Sequence, residues 1–321
     1  MERRINNEIF IGDALSALKR VPNEVFNCCV TSPPYYGLRD YGAAGQIGQE
    51  ETPEEYIQNL VFVFREIRRT LRKDGVLWVV IADSYSGSRK GRMAGGTHSK
   101  GSAISQKYRG TTEGQLKKQK TFCKDKNLIG IPWLLAFALR ADGWFLRQDV
   151  IWQKTNSMPE SVRDRCVRSH EYIFMLSKSK KYFFDWDAIK EPCVNTTDRE
   201  QKFRRKRDVW SMPTAGFRGE HFAAFPEQLA KTCILATCPV GGVVVDPFLG
   251  SGTTGKVAKD NGRRFVGIEI NKEYAVIAAE RTKTELCNNC KYNTRDFVCS
   301  AHCGGCNGTS KFEQRKERDE K

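Results

Sequence analysis

The chain has 321 residues, of which 40% are hydrophobic and 11% aromatic, a composition that excludes a disordered or collagen-like protein and allows one large buried core. The 53 lysines and arginines outnumber the 38 acids, and the formal net charge of +15 predicts a polyanionic partner, most simply nucleic acid. The sequence has no apolar run of the ~18–20 residues that a membrane span needs and no apolar segment typical of a secretory signal. We therefore expect a cytoplasmic protein without a membrane partner.

The positive charge is concentrated in two segments. Residues 88–126 contain 11 Lys/Arg and 2 acids, and their content of Gly, Ser, Thr and Gln predicts a flexible basic insertion. Residues 154–207 contain 14 Lys/Arg and 8 acids and end in a basic cluster at 202–207. The rest of the chain has 28 residues of each sign, so the predicted scaffold is neutral. Both segments are candidates for phosphate contact, and a purely solvated surface is the alternative.

Apolar, β-branched runs alternate with helical patterns along the chain. Strands are predicted at 8–11, 25–31, 76–81, 145–152, 172–176, 243–246 and 265–268, and helices at 53–71, 131–141, 226–237, 252–260 and 272–286. This alternation predicts an α/β domain with a mostly parallel sheet and helices on both faces. The composition changes near residue 286, which divides the chain into a domain at 1–286, a small Cys-rich segment at 287–310 and a charged tail at 311–321.

A glycine-rich loop, DPFLGSGTTG, follows the strand predicted at 243–246. Gly250, Gly252 and Gly255 have the spacing G-x-G-x-x-G, which lets a ligand approach the backbone next to the free N–H groups of a helix N-terminus. Glu269 lies 19 residues after Gly250 at the end of the next predicted strand, where a carboxylate can bind two ribose hydroxyls. The pattern therefore predicts a nucleotide-like ligand.

Three interpretations of this loop compete. A dinucleotide site fits the spacing, although Asp246-Pro247-Phe248 is an unusual lead-in. A phosphate-binding P-loop is a near match, but Val257 stands where Ser or Thr must hold magnesium. A tight turn without a ligand is the third interpretation.

A second loop, TSPPYYG, follows the strand predicted at 25–31. The Ser32 hydroxyl and the carbonyl of Pro33 form a pair of acceptors suited to an exocyclic amino group. Tyr35 offers a ring on which a planar base can stack, worth roughly 1–3 kcal/mol. Both loops are expected at the carboxyl edge of the sheet, where α/β proteins place their sites.

Together, TSPPY and DPFLGSGTT resemble the catalytic and cofactor motifs of amino-group DNA methyltransferases, which use S-adenosylmethionine to methylate N4 of cytosine or N6 of adenine. Because the catalytic motif comes first, the chain resembles the β group of that family, over about residues 5–285. The resemblance implies a circularly permuted Rossmann-like methyltransferase sheet, in which the first two strands come last in the sequence.

The resemblance also assigns residues to roles. Ser32 and the Pro33 carbonyl are expected to accept hydrogen bonds from the amino group of a flipped-out base stacked on Tyr35, with in-line transfer and no covalent intermediate. Glu269 is expected to bind the ribose, and Asp13 to lie by the adenine ring. The implied catalytic residues are Ser32, Pro33, Pro34 and Tyr35, and the implied cofactor-binding residues are Asp13, Phe225, Pro226, Asp246, Phe248, Gly250, Ser251, Gly252, Thr253 and Glu269.

Double-stranded DNA is the implied partner, read by a target-recognition region at 155–220, and a cognate restriction endonuclease belongs to the implied context. Ser32 at the head of the motif resembles the N4-cytosine type, and N6-adenine methylation is the alternative. A catalytically inert nucleic-acid-binding module with the same fold is an alternative from another class.

Five of the 12 cysteines cluster after residue 286. Cys287, Cys290, Cys303 and Cys306 have the spacing C-x2-C-x12-C-x2-C, which suits tetrahedral zinc, and Cys299 or His302 can replace one ligand. Free thiols and an iron–sulfur site are the alternatives. By contrast, Cys28 and Cys29 lie in an apolar strand and are expected to be buried core thiols.

Overall fold

The computed structural model describes residues 7–38, 43, 45–87, 122–193, 202–214, 225–284 and 286–287. The strands are β1 (Glu8–Ile11), β2 (Phe26–Thr31), β3 (Leu71–Ile81), β4 (Phe145–Lys154), β5 (His170–Ser177), β6 (Glu191–Pro192), β7 (Phe203–Arg204), β8 (Val209–Met212), β9 (Val243–Asp246), β10 (Arg264–Glu269) and β11 (Leu286–Cys287). The helices are α1 (Ala14–Leu18), α2 (Pro53–Thr70), α3 (Ile131–Ala141), α4 (Glu227–Thr237), α5 (Thr253–Asp260) and α6 (Lys272–Thr282). No helix within these ranges is both long enough and apolar enough to cross a membrane.

A nine-stranded sheet runs through the domain in the order β11-β1-β10-β9-β2-β3-β5-β4-β8. Strand β5 is antiparallel to both neighbours, β3 and β4, and the other neighbouring pairs are parallel. The late strands β9 and β10 are inserted between β1 and β2, so the predicted permuted order is confirmed.

Helix α2 shows how the sequence defines one of these elements. The Thr52 hydroxyl accepts a hydrogen bond from the Glu55 N–H at 3.2 Å, and Pro53 occupies the first turn, where its missing N–H costs nothing. Acids in the first turn and arginines in the last turn complement the helix dipole. The apolar stripe of this helix, including Leu60 and Phe64, is buried on one face of the sheet.

Two apolar clusters cover the two faces of the sheet. One contains Cys29 and Val245 together with residues of α1, α2 and α3, and the other contains Cys28 and Val244 together with residues of α4, α5 and α6. The alternation follows from the two-residue repeat of a strand. Both thiols are fully buried, and burial raises the pKa of each above its ordinary value, so the prediction of buried core thiols is confirmed.

Several short elements differ from the predicted ones. Strand β3 begins at Leu71, five residues before the predicted start, and the last helix ends at Thr282. The sequence does not predict helix α1 or strands β6, β7, β8 and β11, because none of them contains three consecutive apolar residues, unlike the equally short β1 and β9. Strand β11 pairs with β1 at the edge of the sheet, and the division of the chain near residue 286 stays a prediction.

Because most strands are parallel, their carboxyl ends meet at one edge. Strand β1 ends before Gly12, β10 ends at Glu269, β9 at Asp246 and β2 at Thr31. The antiparallel β5 begins at this same edge with His170. We call this edge the catalytic edge, because it carries the loop after β2 for which the sequence predicts a catalytic role.

Candidate active site

Asp246 joins the two loops singled out in the sequence. Its side chain is only 1% exposed at the end of β9. One carboxylate oxygen accepts hydrogen bonds from the Thr31 hydroxyl at 2.6 Å and the Phe248 N–H at 3.0 Å, and the other accepts one from the Thr254 hydroxyl at 2.7 Å. Thr31 directly precedes Ser32, and Thr254 lies in the first turn of α5. A single buried carboxylate therefore fixes the loop at 32–37, called the catalytic loop for its predicted role, relative to the glycine-rich loop at 247–255.

The burial of this carboxylate has an electrostatic cost. Loss of solvent raises the pKa of Asp246 from 3.8 to about 6, although its hydrogen bonds with Thr31, Thr254 and Phe248 act in the opposite direction. At neutral pH the group is still ionised, and it accepts all three hydrogen bonds. Both carboxylate oxygens of Asp246 therefore accept hydrogen bonds from within the protein, and the side chain connects the two loops.

Glu269 lies at the end of β10, beside the glycine-rich loop, and is 7% exposed. Its two carboxylate oxygens accept the N–H groups of Gly250 and Asn271, each at 2.8 Å, and burial raises the pKa of the carboxyl. A carboxylate has about four acceptor sites, so acceptor capacity remains for two hydroxyl donors. Gly12 at the end of β1 donates its N–H to the Glu269 carbonyl at 2.9 Å.

The three glycines of the loop have different surroundings. Gly250 has a φ of +54°, and a Cβ built there meets nothing within 4 Å, so this glycine faces open space. A Cβ on Gly252 would lie 2.9 Å from Ala278, and one on Gly255 would lie 2.6 Å from the Phe265 ring. Only Gly250 therefore leaves room for a ligand, and the other two allow close packing of helices and strand.

Arg281 connects the glycine-rich loop to the start of α4. Its guanidinium donates to the Ser251 carbonyl and hydroxyl, both at 2.8 Å, and pairs with Glu227 at 3.4 Å. The predicted cofactor residues Phe225 and Pro226 directly precede Glu227, and Phe225 is 7% exposed. This arrangement brings the predicted Phe-Pro motif and the glycine-rich loop to the same edge of the sheet.

The remaining predicted cofactor residues also lie at this edge. Asp13 is exposed and caps α1 by accepting the Ser16 N–H at 2.8 Å. Phe248 is partly buried, and Thr253 begins α5. Their contacts with a cofactor stay predictions.

The chemistry of the residues around Gly12, Gly250 and Glu269 suits S-adenosylmethionine. Side chains added at the two glycines would project into open space, and the adjacent carboxylate can accept the two ribose hydroxyls.

The catalytic loop contains a chain of hydrogen bonds that the sequence did not reveal. The Tyr35 hydroxyl donates to Glu171 at 2.6 Å, and the Ser32 hydroxyl lies 3.5 Å from the Tyr35 hydroxyl. Lys154 contacts the other oxygen of Glu171. Glu171 is an acid inside a buried apolar strand, which is a visible signal, but its partner Tyr35 lies 136 residues earlier in the chain.

The predicted target-recognition region, 155–220, is divided between two edges of the sheet. Residues 155–169 connect β4 to β5 at the catalytic edge, where the Arg165 and Arg168 guanidinium carbons lie 4.2 Å and 5.4 Å from the Tyr85 ring centroid. By contrast, the segment after β5 lies at the opposite edge. There, the N–H groups of Phe183 and Asp185 donate to carbonyls near the start of β3 and near the end of α4.

The basic cluster at 202–207 belongs to the second part. Arg204 and Lys206 pair with Glu191, and the Arg205 guanidinium lies 5.2 Å from the Trp186 ring centroid. Their connection to the 183–191 segment places these cations away from the catalytic loop.

Several predicted residues lie outside the described part of the chain. These are the metal ligands Cys290, Cys303 and Cys306, their substitutes Cys299 and His302, and residues 88–121 of the basic insertion. Cys287 lies in β11, where it pairs with Phe10. Among the described residues, no group of three or more His, Cys, Asp or Glu side chains could hold a metal ion.

Comparisons with known proteins agree with this arrangement. A family model described as DNA methylase, of the N6/N4 class, matches residues 26–280. The type II methyltransferase M.SmaI of Serratia marcescens is 51% identical over 274 residues, which cover 85% of this chain and 90% of the relative. M.Cfr9I of Citrobacter freundii is 47% identical and covers 87% of this chain and 89% of its own length.

Solved structures share the fold. The cytosine-N4-specific PvuII DNA methyltransferase has a TM-score of 0.62 at 20% identity, over 89% of this chain and 88% of its own. A Thermus thermophilus protein, described as a putative DNA modification methylase and solved with S-adenosyl-L-methionine, has a TM-score of 0.56 at 24% identity, over 86% of this chain and 93% of its own.

The fold, the two loops and the family match define an S-adenosylmethionine-dependent methyltransferase that acts on amino groups of DNA bases. The chain belongs to the DNA methylase family of N4/N6 amino-group enzymes, in its β group, and its relatives are type II methyltransferases of restriction-modification systems.

We predict that replacing Asp246 by Asn changes the pH dependence of stability. The folded-state pKa of about 6 exceeds the ordinary 3.8, so the folded chain binds this proton more tightly than the unfolded chain. The stability contributed by the group is therefore present at low pH and falls as pH rises through that window. Relative to Asp246→Asn, the wild-type unfolding free energy should increase by about 2 kcal/mol between pH 7 and pH 4.

Urea unfolding of both proteins at pH 7, 5.5 and 4 measures this difference. A difference that stays constant with pH would contradict the assignment of a raised pKa to Asp246.

Proposed function

We propose that this enzyme transfers a methyl group from S-adenosylmethionine to the exocyclic N4 of a cytosine flipped out of duplex DNA. The assignment of the target base rests on Ser32 at the head of the catalytic loop. A serine at this position resembles the N4-cytosine type of the family. Methylation of adenine N6 is the second candidate, because the same acceptor pair suits either amino group.

The catalytic loop provides two hydrogen-bond acceptors at the catalytic edge. The Ser32 oxygen and the Pro33 carbonyl accept the two N–H groups of the target amine, which draws its lone pair out of conjugation with the ring. Asp246 holds this loop against the glycine-rich loop, so the amine and the methyl donor are positioned by one buried contact. The chemistry needs no covalent intermediate.

Cofactor binding is assigned to the residues around Glu269. The Glu269 carboxylate binds the ribose hydroxyls, Asp13 lies by the adenine, and Phe225 and Pro226 contact the methionine end. S-adenosylmethionine supplies a methyl group activated by its sulfonium. Gly250 leaves the space for the ligand, and Arg281 holds Ser251 and the start of α4 in place.

Duplex DNA is the substrate that the charge distribution favours. Arg165 and Arg168 lie at the catalytic edge, and the basic insertion at 88–126 carries a further net charge of 11 − 2 = +9. We assign target recognition to 155–169, because this part of the 155–220 region adjoins the catalytic loop. Arginine reads guanine edges, and arginine and lysine also contact phosphates.

We predict that incubation with labelled S-adenosylmethionine and duplex DNA yields N4-methylcytosine after digestion to nucleosides. Ser32→Ala should lower the transfer rate roughly 100-fold, since one of two acceptors is lost, and leave the dissociation constant of S-adenosylmethionine within about threefold. Ser179→Ala, at the opposite edge, is the matched control and should retain full activity.

Each outcome of this experiment is decisive. N6-methyladenine as the product would overturn the base assignment. Cofactor binding without any incorporation would favour the inert nucleic-acid-binding module. Equal loss of transfer and cofactor affinity in Ser32→Ala would contradict the role given to Ser32.

We further propose that Cys287, Cys290, Cys303 and Cys306 hold one structural zinc ion, on the support of their spacing alone. Elemental analysis of the purified full chain should give about one zinc per molecule, and a Cys303→Ser/Cys306→Ser variant should lose it. A metal-free wild-type chain prepared without chelator would contradict the proposal.

A further inference from the structure

A charged pair lies directly behind the catalytic loop. Glu171 is the second residue of β5 and is 8% exposed, and Lys154 is the last residue of β4, the antiparallel neighbour. The Lys154 ammonium contacts one carboxylate oxygen, and the other accepts the Tyr35 hydroxyl at 2.6 Å. Tyr35 thus links the pair to the loop that carries Ser32.

The direction of the hydrogen bonds in this chain is fixed by chemistry. An ionised carboxylate only accepts, so the single proton of the Tyr35 hydroxyl points to Glu171. The Tyr35 oxygen is then an acceptor for the Ser32 hydroxyl, 3.5 Å away. With its own proton directed to Tyr35, the Ser32 oxygen can meet an incoming amino group only as an acceptor.

Burial and the Glu171 charge both favour this direction of the hydrogen bonds, in which the Tyr35 hydroxyl donates to Glu171. They raise the pKa of the Tyr35 hydroxyl well above its ordinary value, so the phenol stays protonated and remains a donor. The same contact fixes the orientation of the Tyr35 ring, because its hydroxyl end is anchored.

We propose that Glu171 is a positioning residue that acts through Tyr35 to make Ser32 an obligate acceptor, and that it receives the proton released after methyl transfer. The inference rests on the proposed function, but it holds for either target base. The sequence alone predicts no role for Glu171 or Lys154.

The proton released from the methylated amine is passed along three groups, Ser32, Tyr35 and Glu171. After transfer, the methylated nitrogen carries a positive charge, and its N–H bond breaks as an O–H bond forms at Ser32. Ser32 passes its original proton to Tyr35, and Tyr35 passes its own to Glu171, which becomes a neutral carboxylic acid. The three proton shifts are concerted, and because a protonated exocyclic amine on an aromatic base is a stronger acid than a carboxylic acid, the net transfer runs toward Glu171.

A purely structural role explains the Lys154–Glu171 pair less well than an action on Ser32 through Tyr35 does. Burying two charges costs free energy, and replacing a buried ion pair with apolar residues is often neutral or stabilising. Strand β5 otherwise contributes apolar residues such as Ile173 and Met175 to the core, so an acid here is not required for packing. The geometry instead connects the carboxylate to the catalytic serine through one tyrosine.

The test compares isosteric variants of the full chain in single-turnover methyl transfer, with S-adenosylmethionine and duplex DNA both saturating. Tyr35→Phe keeps the ring and breaks the chain, and Glu171→Gln keeps the shape and removes the negative charge. Each should lower the rate roughly 10- to 100-fold, with both dissociation constants within about threefold. Tyr182→Phe, which removes a hydrogen-bonded hydroxyl at the opposite edge, is the matched control and should transfer at the wild-type rate.

A second comparison separates positioning from folding. If Glu171 acts through Ser32, then adding Glu171→Gln to Ser32→Ala causes little further loss, whereas independent effects multiply. Wild-type rates in Tyr35→Phe and Glu171→Gln, multiplicative losses, or losses confined to ligand binding would each overturn the inference. Failure of the wild-type enzyme to methylate any duplex would instead overturn the proposed function.

Discussion

The buried carboxylate of Asp246 is the interaction on which the rest of the site depends. It receives one hydroxyl from the end of β2 and another from the start of α5, so two loops that are more than 200 residues apart in the sequence share one anchor. The permuted sheet makes this possible, because β9 lies directly beside β2. In-line methyl transfer requires the amine and the methyl group to be held within a narrow range of distances. A buried, fully bonded carboxylate supplies that constraint.

Much of the fold could be predicted from the sequence because its signals are local. The strand that ends in Asp246 and the capped helix after Thr52 each carry their pattern in fewer than 20 neighbouring residues. The permuted order came from the resemblance of two motifs. The separate roles of Gly250, Gly252 and Gly255 could not be predicted, because they depend on α6 and β10 packing behind the loop.

The features that the sequence did not reveal depend on contacts between residues far apart in the chain and on the edge of the sheet at which each connection lies. Glu171 stands out as an acid in an apolar strand, yet its function depends on Tyr35 and Lys154 reaching it from two other elements. The target-recognition region is continuous in the sequence, but β5 carries the chain from one edge of the sheet to the other. Its arginines therefore separate into a group near the catalytic loop and a cluster far from it.

The central claim is that one buried contact aligns the catalytic loop with the cofactor loop. The most direct measurement is the single-turnover rate of methyl transfer in Thr31→Val, with Thr70→Val, whose hydroxyl bonds only to its own helix backbone, as the matched control. The account predicts at least a tenfold loss in Thr31→Val, S-adenosylmethionine affinity within about threefold of wild type, and no loss in the control. A wild-type rate in a folded Thr31→Val protein would contradict it.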